Sequence, residues 1–223
     1  MAETLQKKMS TTRERAAAKR PRNPEATKAS ILAAARAEFA ERGLDGGRVD
    51  AIARRAGANK QLVYYYFGSK DEIYKAALEA SYADIRSLER ELDLAALPPR
   101  EAMIRLIDFS LDYLAQHREF IRMLADENAH GARHVRSSDA ARQTNSPLLS
   151  MIAETLRRGE AEGIFRHGVD ALELYVSIAG MTFFYFANGL TMSAIFGRDL
   201  TQPEALASYR DHIVSLTLAG LRP

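Results

Sequence analysis

The chain of 223 residues contains no cysteine, and this absence excludes several classes of protein. Without thiols there can be no disulfide scaffold, no thiolate nucleophile and no cysteine-ligated metal or iron–sulfur cluster. The first residues are polar and basic and lack the apolar stretch of a secretory signal, so export is not expected. Strand-length runs of alternating apolar and polar residues are also lacking, which favours an all-α fold.

The net charge of +2 hides an uneven distribution along the chain. Residues 1–70 carry 15 Lys and Arg against 7 Asp and Glu, a net of +8, whereas residues 71–223 carry a net of −6. A basic segment beside an acidic body indicates that one part of the protein meets a polyanion such as nucleic acid. The alternative is a basic tail that only aids solubility, and charge alone does not separate the two.

Helical periodicity divides the chain into about nine helices. Residues 1–22 are basic and hold few apolar side chains, so we expect a disordered arm. A three-helix domain is predicted over 23–69 and a larger helical domain over 70–223. Residues 132–146 are polar and predict a loop. The predicted helices span about 24–43, 48–56, 60–66, 70 to the low 90s, 100–116, 118–131, 147–162, 170–196 and 202–219.

Residues with helix-capping side chains set the predicted helix starts. Ser69 and Glu72 form the Ser-x-x-Glu pattern of a capping box, and Thr201 with Glu204 forms a second one. Gly43 is expected to follow the end of the first helix. Further predicted N-caps are Asn23, Asn59 and Asp170.

Residues 48–67 indicate a helix-turn-helix, because two short predicted helices meet at a turn that contains Gly57. Lys60, Gln61 and Tyr64 then project outward from the second helix. Lysine can meet phosphate or guanine, glutamine can form two hydrogen bonds to adenine, and tyrosine hydroxyls bond phosphate. The positions expected to face the core are Val49, Ile52, Ala53, Leu62, Val63 and Phe67.

This stretch resembles the TetR family of bacterial transcriptional regulators, and the resemblance extends over about 24–75. The motif that carries it is Ile52-Ala53, Ala56-Gly57 and Tyr64-x-Tyr66-Phe67-x-x-Lys70. The resemblance implies an N-terminal DNA-binding domain, a larger C-terminal domain and a double-stranded DNA partner. The residues to which it assigns DNA contacts are Lys60, Gln61, Tyr64, Tyr66 and Lys70.

The residues before the second helix depart from the family pattern, and the directions of the clustered tyrosines have an alternative. Gly47 and Arg48 stand where such proteins often have a Thr/Ser pair, so we expect Arg48 to reach a phosphate by charge instead of through a hydroxyl. The tyrosine cluster 64–66 could alternatively pack as an aromatic core. We expect Tyr64 and Tyr66 to face DNA, and the direction of Tyr65 is left open.

Residues 174–196 carry no charged side chain and are long enough to span a bilayer. Ser177, Thr182, Asn188, Thr191 and Ser193 argue against a membrane span, and a helix apolar nearly all round can be buried at a subunit interface. The resemblance implies a homodimer formed through the helices near 170–196 and 202–219. No membrane partner is expected, and the protein should be cytoplasmic and associated with the nucleoid.

The resemblance also implies a small-molecule effector bound inside the C-terminal domain. The aromatic character of that region weakly favours an apolar or aromatic effector, although aromatic residues at helical spacing are more often plain core. No cofactor is expected. The candidate pocket residues are Phe109, Tyr113, Phe120, Met123, Tyr175, Phe183 and either Tyr185 or Phe186.

Glu127, His130 and His134 form a separate candidate cluster. The two histidines are four residues apart, a spacing that places both on one helix face. With Glu127 they could bind a polar effector or a zinc-like ion, but no fourth ligand is evident. A polar helix end with histidines near the negative end of the helix dipole is the alternative.

The sequence therefore predicts a sequence-specific DNA-binding transcriptional regulator. By resemblance it is a repressor that a small effector releases from a palindromic operator, with the long helix 70–93 as the lever. An enzyme is not expected, since no nucleophile, phosphate-binding or paired-carboxylate motif stands out. An architectural nucleic-acid binder without an effector is a further alternative.

Overall fold

A computed structural model describes residues 23–223, except for the side chains of 141–146. The predicted arm 1–22 lies outside the described residues. The described part contains ten α-helices, one short 3₁₀ helix and no strand, as expected for an all-α protein. The helices are α1 (Pro24–Gly46), α2 (Val49–Arg55), α3 (Lys60–Phe67), α4 (Lys70–Arg90), α5 (Pro99–Gln116), α6 (Arg118–Ala129), α7 (Arg133–Arg136), α8 (Asp139–Ala161), α9 (Ala171–Phe196) and α10 (Pro203–Leu221), with the 3₁₀ turn at Leu94–Ala96.

Most predicted helix starts are confirmed by side-chain caps. The Asn23 side chain accepts the Glu25 N–H, Ser69 accepts the Glu72 N–H, and Asp170 accepts the Glu173 N–H. The capping box predicted at Thr201 is wrong, because Pro203 takes the first helical position and makes Gln202 the N-cap. The Thr201 hydroxyl donates instead to Asp199 at 2.6 Å.

The first hydrophobic core lies under α1–α4 and includes one side chain from further along the chain. Ile31 and Phe39 of α1, Ile52 of α2 and Val63 of α3 are fully or almost fully buried there. Met123 of α6 is completely buried in the same cluster. The core under the helix-turn-helix therefore extends to α6, on which α1 packs, and the two predicted domains share this core.

The second core joins α5, α8, α9 and α10. Its buried members include Met103, Leu106, Ile152, Ile178 and Ile213. A smaller third cluster, formed by Ile85, Tyr113, Leu114, Phe120 and Ile121, lies between α4, α5 and α6. These packed helices leave α9 on the outer side of the C-terminal part.

The loop predicted at 132–146 is wrong, because α7 and the first turns of α8 occupy this region. Ser138 is buried, and its hydroxyl donates to Glu79 of α4 at 2.6 Å. The polar composition therefore belongs to helices, and the buried Ser138 between them is bonded to α4. Pro147, predicted to restart a helix, lies inside α8. A proline removes one amide donor, which a long packed helix can tolerate.

Candidate DNA interface and effector cavity

The helices α2 and α3 form a helix-turn-helix around Gly57. Gly57 adopts a left-handed conformation with φ of 61°, which turns the chain sharply after α2. The Asn59 side chain then accepts the Leu62 N–H at 2.7 Å and caps α3. The predicted motif and its cap are both confirmed.

The start of α2 is held by a buried carboxylate and a close backbone approach. Glu38 of α1 is buried and accepts the Arg48 N–H at 3.1 Å, while it also pairs with Arg42 at 3.4 Å. A Cβ atom at position 47 would lie 2.6 Å from the Phe39 ring, so Gly47 lets this ring pack against the backbone. The Arg48 side chain remains exposed at the helix start.

The outward face of α3 consists of Lys60, Gln61, Tyr64 and Tyr65, all exposed. The Lys60 ammonium pairs with Asp50 of α2 at 3.0 Å, and this hydrogen bond raises the pKa of Lys60. Tyr65, whose direction was left open, is the most exposed of the tyrosines at 80%. Periodicity places it beside Gln61 and so could have identified it.

Like Lys60, the predicted DNA-contact residues Tyr66 and Lys70 have partners within the protein. Tyr66 is half-buried against the first core, with the Lys28 ammonium 5.7 Å from its ring centre. The Lys70 ammonium donates to the Asp45 carbonyl at 3.0 Å and so links the start of α4 to the end of α1. Their contacts with DNA stay predictions.

A polar junction connects α6 to the end of α1. The Asp126 carboxylate accepts the Leu44 N–H and the Tyr74 hydroxyl, each at 2.9 Å. Leu44 directly follows a break in α1 at Gly43, where φ is 67°. The sequence predicts that the first helix ends before Gly43; the helix is broken at this residue, but it resumes and runs to Gly46.

Glu127, His130 and His134 lie at this junction, away from the ligand cavity described below. Buried Glu127 accepts the backbone N–H groups of His134 and Val135 at 2.8 and 3.0 Å and the His134 Nδ1–H at 2.8 Å. This network uses the carboxylate to cap α7, a structural role.

The prediction that His130 and His134 share one helix face is wrong. The helix α6 ends at Ala129, and positive φ angles at Gly131 and Ala132 separate the two residues. The His130 Nδ1–H donates to the Asp126 carbonyl at 2.8 Å, which raises the pKa of His130. Within residues 23–223, no described group of three His, Asp or Glu side chains could hold a metal ion.

A cavity of about 550 Å³ lies between α4, α5, α6 and α9, a volume within the usual range for small-ligand sites. Three of the predicted pocket residues line it, namely Phe120, Tyr175 and Phe183. Further apolar lining comes from Tyr82, Ile85, Leu114, Leu124, Val176, Ala179 and Gly180, and polar lining from Arg86, Glu89, Ser110, Asn128 and Thr182.

The other predicted pocket residues lie elsewhere. Met123 belongs to the first core, where it is completely buried. Tyr113 packs behind Phe120 with ring centres 5.9 Å apart, and burial raises the pKa of Tyr113 to about 12. Phe109 packs beside Tyr113. Tyr185 and Phe186 line a smaller cavity near the end of α9, where the Arg118 guanidinium stacks on Phe186 at 4.6 Å.

Sequence reasoning missed the ion pair in the cavity wall. Arg86 donates to both carboxylate oxygens of Glu89 and to the Tyr175 hydroxyl at 2.8 Å. Both charged side chains are about 95% buried. The sequence could have indicated this pair, because Arg86 and Glu89 have i, i+3 spacing and lie on the same inward face of α4 as Tyr82 and Ile85.

The outer face of α9 is apolar and exposed. Leu172, Val176, Phe184, Leu190 and Ile195 each expose more than half of their surface, and Leu190 exposes 78%. By length and composition, α9 is the one helix among residues 23–223 that could cross a membrane. An exposed apolar face of this extent marks an interaction surface.

Comparison with known families gives two matches along the chain. Residues 31–77 match the model described as bacterial regulatory proteins, tetR family. Residues 99–216 match the model of a tetracyclin repressor-like C-terminal domain. The first match contains the helix-turn-helix, and the second contains three walls of the cavity and the helices α9 and most of α10.

Individual relatives agree with these matches over most of the chain. The HTH-type transcriptional repressor NicS of Pseudomonas putida is 34% identical over 203 residues, which cover 91% of this chain and 96% of NicS. The repressor SCO4008 of Streptomyces coelicolor is 36% identical over 72% of this chain and 78% of its own. The solved structure of the ketosteroid transcriptional regulator KstR2 of Mycobacterium tuberculosis superposes with a TM-score of 0.62 at 24% identity, covering 88% of this chain and 95% of KstR2.

Proposed function

Because this chain belongs to the TetR family and is a helix-turn-helix transcriptional regulator, we propose that it represses transcription by binding a palindromic operator as a homodimer. A small-molecule effector would release it from this operator. The observation that carries the proposal is the exposed face of α3, where Lys60, Gln61 and Tyr64 lie side by side on a capped helix. A helix with this face can enter the major groove.

The proposed DNA surface includes more than α3. Arg48 would contact a phosphate at the start of α2, and Tyr66 and Lys70 would contact the backbone beside α3. We propose that residues 23–69 form the DNA-binding domain and 70–223 the effector and dimerisation domain. The basic segment 1–22 would add phosphate contacts or enter the minor groove.

The proposed dimer forms through α9 and α10. Its support is the exposed apolar face of α9, which a second copy would cover, and the family match that includes both helices. A two-fold dimer presents two recognition helices to successive major grooves. We propose this interface in preference to a membrane, because Ser177, Asn188 and Thr191 interrupt the apolar surface with polar groups.

The proposed effector site is the cavity, and α6 would transmit its occupancy. One side of α6 lines the cavity through Phe120 and Leu124, and the other side holds the end of α1 through Asp126. An effector that binds one position of α6 better than another would change the spacing of the two α3 helices. The helix α4 connects both regions and would act as the lever.

We propose no enzymatic activity, no cofactor and a cytoplasmic location at the nucleoid. The cluster that could suggest catalysis, Glu127 with His134, is buried and engaged in capping α7. An architectural DNA-binding role would require no cavity and no ordered α6 junction, so the effector-controlled regulator is favoured.

The proposal is tested by measuring binding to fragments from upstream of the chain's own gene. In fluorescence anisotropy at several salt concentrations, the protein should bind one such fragment at least about a thousandfold more tightly than a scrambled sequence. Lys60→Ala should weaken binding about tenfold and reduce the salt slope by about one. Equal affinity for the scrambled fragment would contradict the proposed function.

Asp50→Ala is the matched control for Lys60. It removes the ion pair but leaves the ammonium in place, so binding should stay equal or become tighter. Arg157→Ala removes an exposed cation on α8 and should change neither affinity nor salt slope. If Lys60→Ala behaves like Arg157→Ala, Lys60 does not contact DNA.

A further inference from the structure

The charged residues of the cavity wall restrict which ligand fits it. Among its described lining residues, Arg86 is the one cation and Glu89 the one anion, and the other polar groups are neutral hydroxyls and an amide. Both charged side chains come from the last turns of α4, and Arg86 also donates to the Tyr175 hydroxyl of α9. Arg86, Glu89 and the Tyr175 hydroxyl therefore form one charged and polar cluster in the cavity wall.

The ion pair has little value as a stabilising device. Burying two charges costs about as much free energy as their attraction returns, and apolar replacements of such pairs are often neutral or stabilising. Here the pair lies in the wall of a cavity that can hold a small molecule. A ligand with a polar group that binds to the pair would account for two buried charges in this place.

An anionic ligand group fits the pair better than a cationic one. If a ligand carboxylate takes the place of Glu89 on Arg86, Glu89 can accept a proton, and the cavity keeps its net charge. A ligand ammonium on Glu89 would leave Arg86 charged, since a guanidinium does not release its proton in proteins. The planar guanidinium also matches a carboxylate through two parallel hydrogen bonds.

Most of the remaining lining is apolar and in part aromatic, and its neutral polar members are Ser110, Asn128 and Thr182. Phe120 and Leu124 of α6, Leu114 of α5 and Phe183 of α9 contribute to the apolar part. Such a lining binds an apolar or aromatic body, and the cluster of Arg86, Glu89 and Tyr175 fixes the orientation of the ligand. The ligand therefore has one acidic group and one apolar part.

We infer that the cavity binds a small monocarboxylate whose carboxylate pairs with Arg86 and whose apolar or aromatic body lies against Phe120, Leu124 and Phe183. This inference rests on the proposed function, because it names the chemical class of the effector. Tyr175, which accepts a hydrogen bond from Arg86, keeps its hydroxyl hydrogen to donate to the same carboxylate.

Ligand uptake should be linked to one proton. Burial raises the pKa of Glu89, while Arg86 and Arg90 on the same helix oppose this effect. Tyr82, Tyr113 and Tyr175 are the other titratable groups around the pair. When the ligand carboxylate replaces Glu89 as the partner of Arg86, the pKa of Glu89 rises further. Affinity for the ligand should therefore fall as pH rises from the pKa of Glu89 in the free protein to its higher pKa in the complex. The fall is at most about tenfold per pH unit.

Isothermal titration calorimetry with matched probes tests the inference. Octanoate and 2-naphthoate should bind, at least one of them about tenfold or more tightly than octanamide and 2-naphthamide, and octylamine should bind most weakly. Binding of the carboxylate should weaken as pH rises, because the complex holds one proton more than the free protein. Equal binding of carboxylate and amide, tighter binding of the amine, or no binding of either carboxylate would overturn the inference.

Two variants separate the roles of the charged residues. Glu89→Gln cannot take up a proton, so carboxylate binding should persist and lose its pH dependence. Arg86→Met with Glu89→Leu removes both charges together, which avoids leaving one of them buried alone. This double variant should keep its fold by circular dichroism and lose the preference for carboxylate over amide. A preserved preference, or unchanged pH dependence in Glu89→Gln, would contradict the inference.

The operator assay separates a failure of the ligand class from a failure of the proposed function. Wild-type protein that binds its operator specifically but shows no carboxylate preference contradicts only the ligand class. Wild-type protein without sequence-specific DNA binding contradicts the proposed function, whatever the carboxylates do.

Discussion

At the scale of single residues, Asp126 links α6, which lines the cavity, to the end of α1, which packs under the helix-turn-helix. Its carboxylate accepts two hydrogen bonds, one from the Leu44 backbone after the break at Gly43 and one from the Tyr74 hydroxyl. A side chain at position 43 would clash with Asp126, since a Cβ atom there would lie 2.7 Å from Oδ1. The contact thus depends on a glycine in one helix and a carboxylate in another.

Asp126→Ala should destabilise the protein by about 1–3 kcal/mol, because the Leu44 N–H and the Tyr74 hydroxyl lose their acceptor in a partly buried place. Urea unfolding followed by circular dichroism measures this change. Asp126→Asn keeps one acceptor oxygen and should lose less. Unchanged stability of the alanine variant would show that water replaces the carboxylate without cost.

At the scale of elements, α3 is short and depends on its ends. Eight residues are too few for a stable isolated helix, so the Asn59 cap and the buried Val63 must hold it against α1 and α2. Its outward residues can then be polar or aromatic without cost to folding. This separation lets one face of α3 bind DNA while the opposite face holds the fold.

Asn59→Ala should cost about 1 kcal/mol of stability through the lost cap and should also weaken operator binding, because the first turn of α3 carries Lys60 and Gln61. Urea unfolding and anisotropy measure the two effects. Asp170→Ala is the matched control, since it removes an equivalent cap on α9. It should cost similar stability and leave operator affinity unchanged, and an equal loss of affinity in both variants would contradict a local role of the cap.

At the scale of the whole molecule, the proposed dimer depends on the apolar outer face of α9. Phe184, Leu190 and Ile195 are more exposed than the surface of a monomer would require. Covering them with a second copy also brings two α3 helices under one two-fold axis. Dimerisation and specific DNA binding should therefore be lost together.

Phe184→Asp should convert the proposed dimer into a monomer, because it places a charge in the centre of an apolar interface. Analytical ultracentrifugation measures the mass, and anisotropy should show weaker operator binding with unchanged helicity. Leu88→Asp alters an exposed leucine on α4 and serves as control, since it should remain dimeric. A dimeric Phe184→Asp variant would place the interface elsewhere.

The sequence by itself determined the helical class, the helix-turn-helix and most helix starts. These features depend on local physics: Asn59 and Ser69 cap the residues next to them, and apolar spacing fixes which face of α2 or α3 turns inward. The exposure of Lys60 and Gln61 followed from the same periodicity. The polar composition of 132–146 predicts a loop, but the region forms α7 and the first turns of α8, because hydrogen bonds such as that from Ser138 to Glu79 of α4 come from residues far away in the sequence.

Only the tertiary structure decided which residues surround the cavity. Met123 and Phe120 are three residues apart on α6, yet the first lies in the core under the DNA-binding helices and the second faces the cavity. The Arg86–Glu89 pair is completed by the Tyr175 hydroxyl, which accepts a hydrogen bond from Arg86 and is 89 residues further along the chain. Helical periodicity states that a residue faces inward, but which partner lies opposite depends on how distant helices pack.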